Sequence, residues 1–276
     1  LVANQNANKS TVNKALIVKV FDTSRYLFMC SSGSTFGPRL SGVFLGDWNE
    51  AGWNDDYVVN VNYTLQIGAG NIANLAECME GPFRLLERTK PDWETGASRL
   101  WGCRGIVGPV RMDGERALFS NFDAFYAHAA SVGYGPWLVY SMYEHYQISG
   151  DQTFLRDRGY PFLHDMAIFF EDFLSRTDEH GKVIFVPSVS PECPPAPGFE
   201  TIASINAVFD IAACKHGLKM AIESANVLGL EQGAGEGVER WIVLLGKMPA
   251  YTTEPDGTMK EWAWDLGENY GHRHTS

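Results

Sequence analysis

One carboxylate stands apart from the other acids of this sequence. Glu192 lies in Val186-Pro187-Ser188-Val189-Ser190-Pro191-Glu192-Cys193-Pro194-Pro195-Ala196-Pro197, where five prolines in twelve residues fix φ and stiffen the backbone. No Lys or Arg lies within five positions on either side. A rigid carboxylate with little charge compensation, in an apolar setting, holds its proton towards neutral pH, as a general acid must. On composition alone an ordinary exposed loop glutamate fits as well.

Two further segments carry groups that could work beside it. In Asp56-Tyr57-Val58-Val59-Asn60-Val61-Asn62 the asparagines are two apart, so extended backbone would put both amides on one face, able to hold a water or sugar hydroxyls. The plainer alternative is turn chemistry, with each amide bonding its own backbone. The run Glu261-Trp262-Ala263-Trp264-Asp265 continuing to His272-Arg273-His274 mixes acids, indoles and imidazoles. His-x-His can ligate a metal in a strand, but no third ligand at a matching spacing stands out, and no metal or other cofactor is expected. A phosphate-binding glycine loop, a Gly-x-Ser-x-Gly elbow and a Cys/His nucleophile pair are all missing from the sequence. Carboxylates accompanied by amides and aromatics point to chemistry at glycosidic bonds.

These groups must be positioned by helices, because helical periodicity dominates. Val12 to Cys30 reads as one amphipathic helix, and Gly133 to Gln147 as a second with Trp137, Val139, Tyr140 and Tyr143 on a buried stripe. A third lies within Thr153–Ser175, with Pro161 suited to its first turn and Asp178–Gly181 to its stop. One or two more are expected in Ile202–Leu228 and another in Glu236–Lys247. Lys182–Val186 is the best strand candidate. Long loops at 31–55, 90–122, 187–201 and 251–276 are of the kind that carry function. Paired helices with such loops predict an all-α fold, an α/α toroid whose loops build a central cleft.

The 276 residues carry a net charge of −11 without a basic cluster, which argues against nucleic acid as a partner but leaves neutral sugars unhindered. No apolar stretch reaches the ~18–20 residues of a membrane span, and no membrane association is expected. Five cysteines without close spacing argue against a zinc cluster or dense disulfide framework. Oligomeric state is not readable.

Taken together and in order, the segments resemble glycoside hydrolase family 95, the inverting α-L-fucosidases and α-L-galactosidases. The resemblance rests on Arg25-Tyr26-Leu27, Leu40-Ser41-Gly42-Val43, Trp48-Asn49, Asn60-Val61-Asn62, Asn74-Leu75-Ala76-Glu77-Cys78, Gly102-Cys103-Arg104-Gly105, Trp137-Leu138, Tyr143-Glu144-His145-Tyr146, Pro187-Ser188-Val189-Ser190-Pro191-Glu192 and His272-Arg273-His274. It implies a six-hairpin (α/α)6 toroid, with residues 1–276 a partial catalytic domain, incomplete at its C-terminal end and lacking an upstream β-sandwich. It implies that Glu192 protonates the glycosidic oxygen, that Asn60 and Asn62 position the attacking water, that Arg273 and His274 bind sugar hydroxyls and that Trp137 walls the subsite. The expected activity is inverting, exo-acting release of terminal α-L-fucose or L-galactose from oligosaccharides or glycans. A secreted or periplasmic location follows from the family. Val58 stands where the family has a sugar-contacting histidine, which favours L-galactose as the alternative sugar. The family's general base lies in an Asp-Gly-Asn-Phe-Gly motif that follows His-Arg-His and is not found before Ser276. Asp265 or Glu261 could serve instead, or the chain could be a non-catalytic carbohydrate-binding protein on the same scaffold.

Overall fold

The structure, a computed structural model, describes residues 1–42, 55–118, 125–196, 198–263, 271 and 274. The described residues are mostly helical. After a short helix α1 (Val2–Ala7), α2 spans Lys14–Ser31 and starts where Asn13 accepts from the Leu16 amide. The expected helix is therefore real, but none of its residues is buried, and only Phe28 near its end packs partly on the core. The short helix α3 (Asn62–Ile67) and α4 (Glu80–Gly96) follow. The expected loop at 90–122 thus begins inside a helix. Pro91 costs α4 one backbone hydrogen bond, yet Phe83, Leu86 and Trp93 are all buried along one face and outweigh it.

Helix α5 (Tyr134–Ser149) ends at Gly150, whose φ of 70° is the left-handed turn that caps it. Asp151 then caps α6 (Gln152–Phe154), which runs through a wide turn at 155–159 into α7 (Tyr160–Phe173). The stop falls at Leu174, earlier than Asp178–Gly181. Helix α8 (Val208–Leu228) packs against α5, α7 and α9 (Gly237–Gly246). Its Ile211, Cys214, Leu218, Ala221 and Ala225 recur at three and four and are wholly buried. Gly217 allows the approach: a Cβ there would lie 2.9 Å from Met166 and 3.3 Å from Pro136. Of the expected α5 stripe, Val139 and Tyr143 are buried, whereas Trp137 and Tyr140 are only half-buried and face a groove.

The strands differ from expectation. Lys182–Val186 forms none; instead the Val183 amide donates to Lys247 O at 2.9 Å, and Val183 and Phe185 are buried as irregular chain. Two short antiparallel pairs form elsewhere. β1 (Tyr57–Val58) pairs with β2 (Arg111–Met112), and β3 (Ser188–Val189) with β4 (Ala203–Ser204), where a helix had been expected to begin. No disulfide forms among the described residues, and no helix among them is long and apolar enough to cross a membrane.

Candidate active site

Glu192 sits at the tip of a tight turn that leaves β3, closed by the Cys193 amide donating to Ser190 O at 2.8 Å. Strand β3 is fixed from below by Asp210, in the first turn of α8. The wholly buried Asp210 carboxylate accepts from Ser188 Oγ (2.6 Å) and the Val189 amide (3.0 Å) with Oδ2. Its Oδ1 accepts from Ser131 Oγ (2.6 Å) and the amides of Val132 (3.1 Å) and Gly133 (2.8 Å). One carboxylate thus ties the Glu192 turn to the 131–133 turn that precedes α5. Burial pushes the Asp210 carboxyl up to about 6, against the pull of those hydrogen bonds. Gly133 is needed here, since a Cβ would lie 2.9 Å from Asp210 Oδ1 and 2.6 Å from the Phe209 ring. Further along, Ser190 Oγ donates to the buried Glu261, and Cys193 packs with Ala207 and Trp262.

Three remote segments close on the Glu192 carboxylate. Beyond β1, the Val59 amide donates to Val110 O (2.8 Å), and the next residue, Asn60, is buried with its side-chain amide donating to Glu192 Oε1. His128, in a single helical turn at 128–130, places Nε2 3.2 Å from the same oxygen. It is 3% exposed, stacks on Tyr126 (ring centroids 5.6 Å apart) and lies 3.4 Å from Tyr134 Oη through Nδ1. His274 places Nε2 3.9 Å from Glu192 Oε2, while its Nδ1 lies 2.6 Å from Asn60 O and its amide donates to Pro191 O (2.9 Å). Burial raises the Glu192 pKa, but His128, Asn60 and His274 together outweigh it and hold the carboxyl below the ordinary Glu value. The expected uncompensated carboxylate is therefore corrected: Asn60, His128 and His274 reach it from segments far away in the sequence.

Of the residues singled out in the sequence, Glu192, Asn60 and His274 meet. Asn62 does not share an extended face with Asn60, because β1 ends at Val58 and Asn62 opens α3, where it is exposed. Trp137 lines an open groove of about 480 Å³ between α5 and α8 with Tyr140, Phe209 and His216, its ring 5.4 Å from that of Phe209. Arg273 and Asp265 lie outside the described residues. Glu261 is committed to Ser190. His128 and Asp210 were not found from sequence. Asp210 carried one signal, a lone acid inside the apolar run Ala207-Val208-Phe209-Asp210-Ile211-Ala212-Ala213; His128 carried none.

Residues 2–276 match the glycosyl hydrolase family 95 catalytic domain. The chain belongs to glycoside hydrolase family 95. Among curated family relatives it is similar to alpha-L-fucosidase 2 of Arabidopsis thaliana, 27% identical over 97% of this chain and 32% of that protein. It is also similar to probable alpha-fucosidase A of Aspergillus niger, 26% identical over 63% of this chain and 22% of the relative. The Aspergillus oryzae protein of the same name is 32% identical over 39% of this chain and 15% of its own length. The chain spans about a third or less of the length of these relatives.

Proposed function

We propose that this family 95 chain supplies the acid side of an inverting, exo-acting glycosidase site that releases terminal α-L-fucose, or L-galactose, from oligosaccharides or glycans. What carries the reading is the convergence of Asn60, His128 and His274 on the single carboxylate of Glu192. Glu192 protonates the glycosidic oxygen as the bond to the anomeric carbon breaks, and water attacks from the opposite face, activated by a second carboxylate. Asn60 and Asn62 help to place that water, Arg273 and His274 bind sugar hydroxyls, and Trp137 walls the subsite. The scaffold is an (α/α)6 toroid of which residues 1–276 are part.

Without a bound sugar Glu192 favours the carboxylate, so the acid form must be gained on binding. Burial already pushes its pKa up, and a sugar covering the 19% of the side chain still exposed pushes it further. The basic limb of the pH profile for kcat is therefore expected above that for kcat/KM. Glu192→Gln in the full-length protein should cut turnover of a fucosyl disaccharide about 10²- to 10⁴-fold while sparing sugar affinity. Undiminished turnover removes Glu192 from the acid role, and product NMR showing retained anomeric configuration overturns the inverting mechanism. Calorimetric binding of L-fucose or L-galactose without any turnover would favour a carbohydrate-binding protein instead.

A further inference from the structure

The two oxygens of Glu192 are held differently. Oε1 receives both the Asn60 amide and His128 Nε2, while Oε2 faces His274 Nε2. A proton on Oε1 would point at two N–H groups, so those donors keep Oε1 an acceptor. The Nδ1 of His274 sits against the Asn60 carbonyl, which can only accept, so Nδ1 donates there and Nε2 is the ring atom turned to Oε2. The 3.9 Å between Nε2 and Oε2 is too long for a direct hydrogen bond.

We propose that His128 is a positioning residue for Glu192, donating to Oε1 beside Asn60 and holding the charge left when the acid has given up its proton. The proposal rests on the reading of Glu192 as the acid. In the step, the O–H bond of the Glu192 acid breaks and its proton goes to the glycosidic oxygen. The bond from that oxygen to the anomeric carbon breaks, its electron pair staying on the leaving alcohol, and the Glu192 carboxylate is left with Oε1 facing two donors. A hydrogen bond from His128 is stronger to that carboxylate than to the neutral acid, so it stabilises the late state more than the early one.

His128 is itself prepared for this. Tyr134 is wholly buried, and burial keeps its hydroxyl protonated far above neutral pH, so it can donate to His128 Nδ1 and leave the ring proton on Nε2. The stack on Tyr126 fixes the ring plane. Among the described residues, the titratable groups around Glu192 include His128 and His274 facing it, Tyr134 behind His128, Glu261 behind Ser190, and Asp210 behind Ser188. His128 is nearer to the carboxylate than His274.

The test uses the full-length protein with His128→Phe, which keeps an aromatic ring against Tyr126 but removes the donor, and His128→Gln, which can restore one. In ¹³C-carboxyl titrations, with the Glu192 signal assigned by its loss in Glu192→Gln, His128→Phe should raise the Glu192 midpoint and His128→Gln should bring it back towards the parent. An unmoved midpoint overturns the proposal whether or not a substrate is turned over. In kinetics, His128→Phe should slow hydrolysis of α-L-fucosyl-(1→2)-galactose about ten- to hundred-fold and 4-nitrophenyl α-L-fucoside no more than about three-fold, because nitrophenolate leaves without a proton. Equal losses on both substrates would mean a structural role only. A Glu192→Gln variant that keeps the disaccharide activity sinks the acid reading itself. Discrimination by Glu192→Gln but not by His128→Phe sinks the His128 proposal alone. If His128→Phe does not fold, Tyr134→Phe should raise the Glu192 midpoint in the same direction by less, and no rise would count against the proposal.

Discussion

Helix α2 is 18 residues of regular backbone without one buried residue, whereas the Ser188–Cys193 turn has two residues of strand yet buries Ser188, Val189, Ser190 and Cys193 completely. Helix α2 owes its form to local hydrogen bonds and the Asn13 cap, and it exposes Ile17, Val18 and Phe21. The turn owes its form to side chains far away in the sequence, above all Asp210 and Glu261. Regular backbone and fixed position are thus separate properties. A functional carboxylate needs the second, and buried polar bonds supply it at the cost of depending on every partner being present.

The sharpest way to break this contrast is to remove the anchor. Asp210→Ala would orphan Ser131 Oγ, Ser188 Oγ and three backbone amides in the interior. The expected loss is about 4 kcal/mol in urea denaturation. A loss below about 1 kcal/mol would show that the turn holds itself.

A gentler variant reads the same carboxylate through pH. An unfolded Asp titrates near ~4, and folded Asp210 near about 6. Because the folded pKa is raised, the stability linked to this group is full below ~4 and lost as pH rises through about 6, a fall of about 3 kcal/mol. Asp210→Asn should flatten the stability profile between those limits, and an unchanged slope would place the dependence elsewhere. Glu192 contributes with the opposite sign: its lowered pKa gives stability above the ordinary Glu range that is lost as pH falls through the folded value, so it acts on the acid side of this window.

Gly133→Ala tests the other end of the clamp. The added Cβ must displace the Phe209 ring or lengthen a bond to Asp210, for about 2 kcal/mol lost in thermal unfolding. Unchanged stability would mean that the 131–133 turn can shift without harm.

The contrast also explains what the sequence revealed. Helices α5, α7 and α9 were legible because their apolar spacing records burial directly, and α2 was legible for its period even though the burial that period implied is not there. Helix α4 escaped because Pro91 imitates a boundary, while Trp93, buried just past it, lies in what reads as loop. Glu192 announced itself through its prolines, which are local. His128 lies 64 positions from its partner, and no periodicity or spacing encodes a contact of that range. For Asn60 and Asn62 the pattern of two assumed a strand that ends at Val58, so the shared face it implied does not form.

The smallest effect is expected where the backbone is most regular. Ile17 and Phe21 are 57% and 51% exposed, so replacing either with Ser removes little buried apolar surface from this chain. The remaining cost is helix propensity, and Leu, Phe, Ile and Ser differ there by a few tenths of a kcal/mol. Ile17→Ser and Phe21→Ser should each change stability by less than about 0.5 kcal/mol in urea titrations of the 276-residue chain. The same substitutions in the full-length protein give the informative comparison. A loss of about 2 kcal/mol there, but not in the chain alone, would mean that this face is covered in the whole molecule and that α2 is positioned by contacts after all. Equal and small losses in both would keep α2 as a helix held by its own backbone, and leave the Glu192 turn as the part of the pair whose order is tertiary.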